Sequence, residues 1–412
     1  MIIKQNIIDF LINFSLDKNN EKKTSVENVN VNGIKIIKFI NEYWTSKQRQ
    51  GHSIHEISYR ACYKSELPGF FINLFTEKND IVYDPFGGRG TTVVEAALLE
   101  RNIIQNDINP LSQILSKPRI EIPELSEVSE RLNKIDFSGE IDSDLDLSMF
   151  YEIQTMKEIS SLRKYLISRK HSGQEDYIDS WIRMVATNRL TGHSKGFFSV
   201  YTLPPNQAVS QERQIKINNK RNQTPEYKNV KEIIIKKSKS LLKDFKDKEE
   251  IEKLRKIAAK ALFLEKDASE TYDIKSATVN LIVTSPPFLD IVQYAEDNWL
   301  RCWFNNIDVK QVSKKIIMAK SVEKWSEYMS RVFREFYRIL KKDAIIAFEV
   351  GEVKKGKIDL AMEVVKIGLN QNFECFGILI NQQKFTKTAN IWGVTNNSDG
   401  TNSNRVVIFQ KK

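Results

Sequence analysis

Two short runs in this 412-residue chain have residue types and spacing that could do chemistry. The first, Thr284-Ser285-Pro286-Pro287-Phe288, ends the apolar run VNLIVT, which reads as a β-strand. Two prolines and an aromatic ring cannot continue a sheet, but they make a stiff bend that fixes a carbonyl and presents a ring. The Ser285 hydroxyl and the Pro286 carbonyl are acceptors suited to the hydrogens of an amino group on a flat heterocycle. Pro287 stiffens the bend, and Phe288 can stack on the heterocycle. An exocyclic amine of cytosine or adenine is a poor nucleophile because its lone pair is delocalised into the ring. Acceptors that hold its hydrogens favour a more tetrahedral, more reactive nitrogen. A base in a duplex must leave the stack before such groups can reach it. Rate then comes from in-line placement, with no covalent intermediate and no metal.

The second run, Asp84-Pro85-Phe86-Gly87-Gly88-Arg89-Gly90-Thr91-Thr92, lies between a short strand and a helix. Gly88 and Gly90 permit backbone angles denied to other residues and let a ligand approach the main chain. The helix start beyond them offers free N–H groups. A dinucleotide fingerprint would want a third glycine where Val93 stands, and the Gly-Lys-Ser/Thr of a P-loop is missing. Asp107 ends the next strand, where its carboxylate can accept from both hydroxyls of a ribose. A negative charge there would repel a phosphorylated ribose.

The elements around these runs must hold them. Strand, glycine turn, helix and strand from Ile81 to Asp107 form the first half of a nucleotide-binding α/β unit. The expected fold is α/β and Rossmann-like. Its sheet is mostly parallel with a C-terminal antiparallel strand (FGILIN against NRVVIFQKK), and it is interrupted by a helical insertion. Residues 1–50 read as an N-terminal helical segment and 51–120 as the cofactor-binding half of the core. Residues 121–260 read as the insertion and 261–412 as the catalytic half. Within the insertion, 192–228 reads as a long irregular stretch.

The net charge is +10 with a pI near 9.2, which suits a polyanionic partner, although abundant Lys, Ile and Asn also fit an AT-rich coding bias. Much of the excess sits between Gln211 and Lys256, with 15 Lys and Arg against 8 Asp and Glu. The cysteines Cys62, Cys302 and Cys375 are odd in number and scattered, which gives neither a disulfide framework nor a zinc site. They follow Ala61, Arg301 and Glu374, so none has the proline-preceded setting of a carbon-5 cytosine nucleophile. His52 and His55 have nothing nearby in sequence to complete a metal site. With no signal peptide and no apolar run long enough to cross a bilayer, a cytoplasmic protein without membrane contact is expected.

Together these runs resemble the N4/N6 amino-methyltransferase family of site-specific DNA methylases. The resemblance extends to HEISYRACYKSELPGFF, NDINPLS and TSPPFLDIVQYAEDNWLRCWF. It implies S-adenosyl-L-methionine as cofactor, double-stranded DNA as partner and a cognate restriction endonuclease. The serine of the tetrad points to N4 of cytosine, with Phe288 in place of the usual Tyr. N6 of adenine and an RNA amino group remain alternatives. The resemblance also implies that Asp84, Phe86, Gly87, Gly88, Gly90, Thr91 and Thr92 form the cofactor turn. Tyr59 and Lys64 would line the methionine end, and Asp267 with Ala268 would hold the adenine. Target recognition is expected in the insertion, at Lys195, Asn206, Gln207, Arg213 and Lys216, near the aromatics Phe197, Phe198 and Tyr201. Amides and Arg can read base edges, while Lys mostly meets phosphate.

Overall fold

Short apolar runs rich in β-branched residues, bounded by polar turns, build one sheet, and longer runs with helical spacing cover it. The computed structural model describes residues 4–16, 23–44, 51–60, 62–204, 208–287, 297–316, 321–353, 358–383 and 402–412. The first part holds α1 (Lys4–Asn13), β1 (Ser25–Val31), β2 (Ile34–Asn41), α2 (Glu66–Phe75), β3 (Ile81–Asp84), α3 (Thr91–Leu98), β4 (Asn102–Asn106) and α4 (Leu111–Ser116). Six helices follow: α5 (Leu125–Lys134), α6 (Ile153–His171), α7 (Tyr177–Arg189), α8 (Gln211–Arg221), α9 (Val230–Leu242) and α10 (Lys248–Ala258). The remainder comprises β5 (Leu262–Leu264), β6 (Val279–Thr284), α11 (Trp299–Phe304), α12 (Val309–Lys315), α13 (Val322–Ile339) and β7 (Leu340–Val350). It ends with the small pair β8 (Glu352–Val353) and β9 (Ile358–Asp359), then α14 (Leu360–Asn370), β10 (Phe373–Gln383) and β11 (Asn402–Lys411).

The nine-stranded sheet has the order β1-β2-β10-β11-β7-β6-β3-β4-β5. From β7 to β5 every pairing is parallel. β11 runs antiparallel to both β7 and β10, as FGILIN and NRVVIFQKK suggested. The fold is therefore a Rossmann-like α/β sheet, with α5 to α10 inserted between β4 and β5.

Apolar side chains bury both sheet faces. On one, α13 turns Trp325, Met329, Val332, Phe333, Phe336 and Ile339 inward, a helical stripe that packs Phe333 against Phe348 and Phe409. Burying each such ring contributes about 1.5–3 kcal/mol. The other face meets α2, α3 and the inserted helices. Those helices are closed by polar clasps. Buried Asp179 takes both Arg131 and Arg169, and Trp181 Nε1 donates to Ser238 Oγ at 2.9 Å.

The N-terminal segment departs from the expected helices. Among its described residues only Lys4–Asn13 is helical; residues 25–41 form a β-hairpin that joins β10 in parallel. Asn32 and Gly33 both have positive φ, 51° and 82°, the two-residue turn that suits the twist of paired strands. Asn381, fully buried, fastens the hairpin's exit by accepting from the Tyr43 and Trp44 amides and donating to the Trp44 carbonyl. The stretch 192–228 is also more ordered than expected, since it contains α8. Ser210 Oγ accepts from the Arg213 amide at its start, and Asn222, with φ 47°, ends it.

Candidate active site

β3 and β6 are parallel neighbours. The chain proceeds from β3 to β4 on one side and from β6 to β7 on the other. That divergence opens a crevice at the carboxyl ends of the strands. A cleft of about 920 Å³, measured out to its mouth, lies there. Its wall contains Gly87 and Gly88 from the turn after β3, and Ser285 and Pro287 from the bend after β6. The two runs singled out in the sequence thus face one space.

The glycine turn divides its labour. Gly90, with φ 78°, packs downward, and a Cβ there would lie 2.4 Å from the Ser116 Cβ. Gly88, with φ 51°, faces the cleft, where a Cβ would meet nothing closer than the Tyr59 ring at 3.8 Å. The Arg89 guanidinium donates to the carbonyls of Ile57 and Tyr63, which binds the loop carrying Tyr59 to the turn. Thr91 and Phe86 line the cleft. Thr92 instead sits below it, its hydroxyl donating to the Val283 carbonyl and so tying α3 to β6.

Two carboxylates at successive strand ends also line the cleft. Asp107 accepts from the Gly88 amide through Oδ2 and from the Asn109 amide through Oδ1, both at 2.8 Å. Burial raises its pKa to about 6 despite those bonds. Asp267 accepts from Ser269 and from the Tyr328 hydroxyl at 3.1 Å, and Ala268 lies beside it.

Asp84, expected in the cofactor turn, is 1% exposed and is not among the cleft-lining residues. Its Oδ1 accepts from the Thr284 hydroxyl at 2.7 Å and the Phe86 amide at 3.2 Å. Asp84 therefore locks the end of β3 to the end of β6. Burial raises its pKa to about 6 against those donors. Lys64 is likewise off the cleft and exposed, whereas Tyr59 lines it.

At the bend, the Pro287 carbonyl accepts from Trp325 Nε1 at 3.1 Å, which pins the backbone. The Ser285 hydroxyl donates to Glu349 Oε2 at 2.5 Å, and Asn404 Nδ2 donates to the other oxygen at 3.1 Å. Glu349 is 8% exposed, and burial raises its pKa. Sequence reasoning missed this residue. Its signal was a lone carboxylate in the apolar strand AIIAFEV. Phe288 lies outside the described residues.

The residues expected to meet a nucleic acid divide. Lys195, Arg213 and Lys216 are exposed on the insertion, and Asn206 and Gln207 lie outside the described residues. Phe197 and Phe198 are buried, at 5% and 1% exposure, so they support the insertion rather than offer stacking faces. Tyr201 is half-buried with the Arg221 guanidinium 3.8 Å above its ring. His55 donates or accepts at Glu95, 2.9 Å away, and the His52 ring packs against that of Phe245 at a tilt of 59°. Among the described residues no helix is long and apolar enough to cross a membrane.

Residues 6–114 match the family model described as DNA methylase (N6/N4). The Type II methyltransferase M.MvaI of Kocuria varians is 34% identical over 97 residues, which cover 23% of this chain and 21% of that relative. This chain therefore matches about a fifth of that relative's length. A Thermus thermophilus protein assigned as a DNA modification methylase, solved with S-adenosyl-L-methionine, shares 19% identity. It overlaps 35% of this chain and 53% of its own, with a TM-score of 0.23. The rRNA methyltransferase aviRa of Streptomyces viridochromogenes shares 8% identity over 90% of this chain and 97% of its own, with a TM-score of 0.34. Structural likenesses this loose carry no functional weight. The segment match is the informative one: residues 6–114, which include the glycine turn and Asp107, are similar to the N6/N4 DNA methylase family.

Proposed function

We propose that this protein methylates an exocyclic amino group in duplex DNA, N4 of cytosine, using S-adenosyl-L-methionine. The observation that carries this reading is the convergence of the glycine turn with Ser285 and Pro287 of the bend on one cleft, with Ser285 bonded to a buried carboxylate. The cleft's residues fit the cofactor. Gly88 leaves room against the main chain, and Asp107 and Asp267 set two carboxylates at adjacent strand ends. Phe86, Ala268 and Tyr328 supply apolar surface for a nucleoside. In this reading Asp107 holds the ribose hydroxyls and Asp267 the adenine amino group. The bound cofactor supplies a methyl group activated by a positive sulfonium.

The chain's own residues do the rest. Because its proton points to Glu349, the Ser285 hydroxyl has lone pairs left for an amine hydrogen. In this reading the Pro286 carbonyl is the second acceptor; Pro286 itself is buried and is not among the cleft-lining residues. Methylation obliges the amine to lose one proton. Ser285 can receive it while passing its own to Glu349, whose burial makes it a ready acceptor. Phe288 would stack on the extruded base. Lys195, Arg213 and Lys216 would contact the duplex from the insertion.

The test is nucleoside analysis of duplex DNA after incubation with the protein and S-adenosyl-L-methionine. N4-methylcytosine is expected. N6-methyladenine alone would move the target to adenine, and label appearing only in RNA would replace the substrate class.

Asp107 yields a prediction with a sign. Its pKa in the free protein is about 6, and only its charged form accepts from two ribose hydroxyls with full strength. Above pH 7 the carboxylate is ready; below about 6 binding must first remove a proton. Cofactor affinity measured by calorimetry should therefore fall as pH drops from 7.5 to 5, by up to tenfold per unit at the acid end. Asp107→Asn should weaken binding at pH 7.5 by about 1–3 kcal/mol and flatten the dependence. An unchanged dissociation constant would remove Asp107 from the site.

A further inference from the structure

Beside the cleft, where α7 and α9 of the insertion meet the loop before α2, cations outnumber their partners among the described residues. Arg189 ends α7, half-buried, with its guanidinium 3.9 Å above the Phe197 ring. Its Nε donates to the Asn188 carbonyl at 3.0 Å, and no carboxylate among the described residues offsets its charge. Burial, with the nearby charge of Arg301, lowers its pKa to about 10. Lys237 of α9 is 12% exposed and shares Glu56 with Lys243, at 3.6 Å and 3.5 Å. Two lysines thus share one half-exposed carboxylate, and Arg189, on the helix packed against theirs, adds a third cation. Holding partly buried positive charges together with too few counter-ions is costly. A fold that keeps them there is poised for an anion.

The position identifies the anion. Ser58 donates its amide to Asn188 Oδ1 at 2.9 Å, next to Arg189, and its carbonyl accepts from Arg301. The following residue, Tyr59, lies beneath the Arg301 guanidinium and forms part of the cleft wall. Asn188, 2% exposed, keeps an Nδ2 with no partner among the described residues. Arg189 therefore adjoins the residue that holds Ser58, and the lysines meet Glu56, all on the short loop that ends in the cleft-wall residue Tyr59. We propose that Arg189, Lys237 and Lys243 form a docking shelf for a DNA backbone phosphate flanking the extruded nucleotide. This rests on the proposed function and adds to it the strand-gripping contact. Arg189 presents a planar fork matched to phosphate oxygens, and the lysines act as point charges. A phosphate seated there would hold the strand in register while the bend meets the base.

The test is binding of a fluorescent mixed-sequence DNA duplex to the full chain over a range of salt concentrations. Arg189→Gln, Lys237→Gln and Lys243→Gln are each compared with wild type. Removing one cation from the phosphate should make the plot of log affinity against log salt shallower by about 1. Affinity for S-adenosyl-L-methionine should stay at the wild-type value. Lys243 is more than half exposed, so its variant folds even if Arg189→Gln does not. Lys366→Gln on α14, at the other end of the sheet, is the control and should leave the slope unchanged. If all three variants keep the wild-type slope while the wild type binds and methylates DNA, the shelf is refuted and the proposed function stands. If the wild type binds no duplex, both fall. A slope change seen with an RNA duplex but not with DNA overturns the assignment to DNA.

Discussion

Ser285→Ala should lower the methyl-transfer rate by about 10²-fold or more, the scale for removing one well-placed polar group at a reacting centre. Affinity for S-adenosyl-L-methionine should remain close to the wild-type value. The two expectations come apart because Ser285 meets Glu349 and the open cleft, while the carboxylates at Asp107 and Asp267 belong to other strand ends. Alanine removes the acceptor for the amine hydrogen and the bridge to Glu349 in one step. The fold should tolerate it. Asp84 still holds Thr284, Trp325 still holds the Pro287 carbonyl, and Asn404 still donates to Glu349. Single-turnover rates alongside calorimetric cofactor binding check this. A collapse of cofactor affinity in a folded variant would show that Ser285 serves the cofactor rather than the target amine.

What could be read before the structure was known follows from how local each signal is. A glycine turn between strand and helix is a local event, because the positive φ values at Gly88 and Gly90 need residues without a Cβ. The bend after β6 is equally local, since two prolines end a strand wherever it lies. Which way a polar side chain turns at a strand end is not local. Asp84 and Asp107 end neighbouring strands and look alike in sequence, yet one is swallowed between β3 and β6 while the other faces the cleft. Glu349 was invisible for the same reason, because its partner Ser285 lies 64 residues away and only the β6–β7 pairing brings them together. The hairpin of residues 25–41 was misread because Ile36, Ile37, Phe39 and Ile40 mimic helical spacing. The Asn32-Gly33 pair carried the better signal. Phe197 and Phe198 looked available for stacking, but Phe198 is buried in the core and Phe197 is covered by Arg189.

Glu349→Gln separates a structural role from a chemical one. Glutamine keeps the shape and an acceptor for the Ser285 hydroxyl, but it cannot take a proton. Turnover should fall by about 10²-fold, the lower end of what a positioned proton acceptor contributes. The pH profile is the sharper readout. Burial raises the Glu349 pKa above the ordinary carboxylate range, so the wild-type rate should rise with pH as the carboxylate forms. That limb should vanish in the glutamine variant. Stability should move the other way. A folded-state pKa above the unfolded value means the charged form is disfavoured by folding, a stability loss present once pH exceeds the folded pKa. Neutral glutamine removes it, so thermal unfolding at pH 7.5 should come no earlier than in the wild type. In the double variant with Ser285→Ala, the loss should be little greater than that of the more damaged single variant, because both changes break the same relay. Two independent losses that simply multiply would mean that Glu349 acts on the reaction by some path other than Ser285.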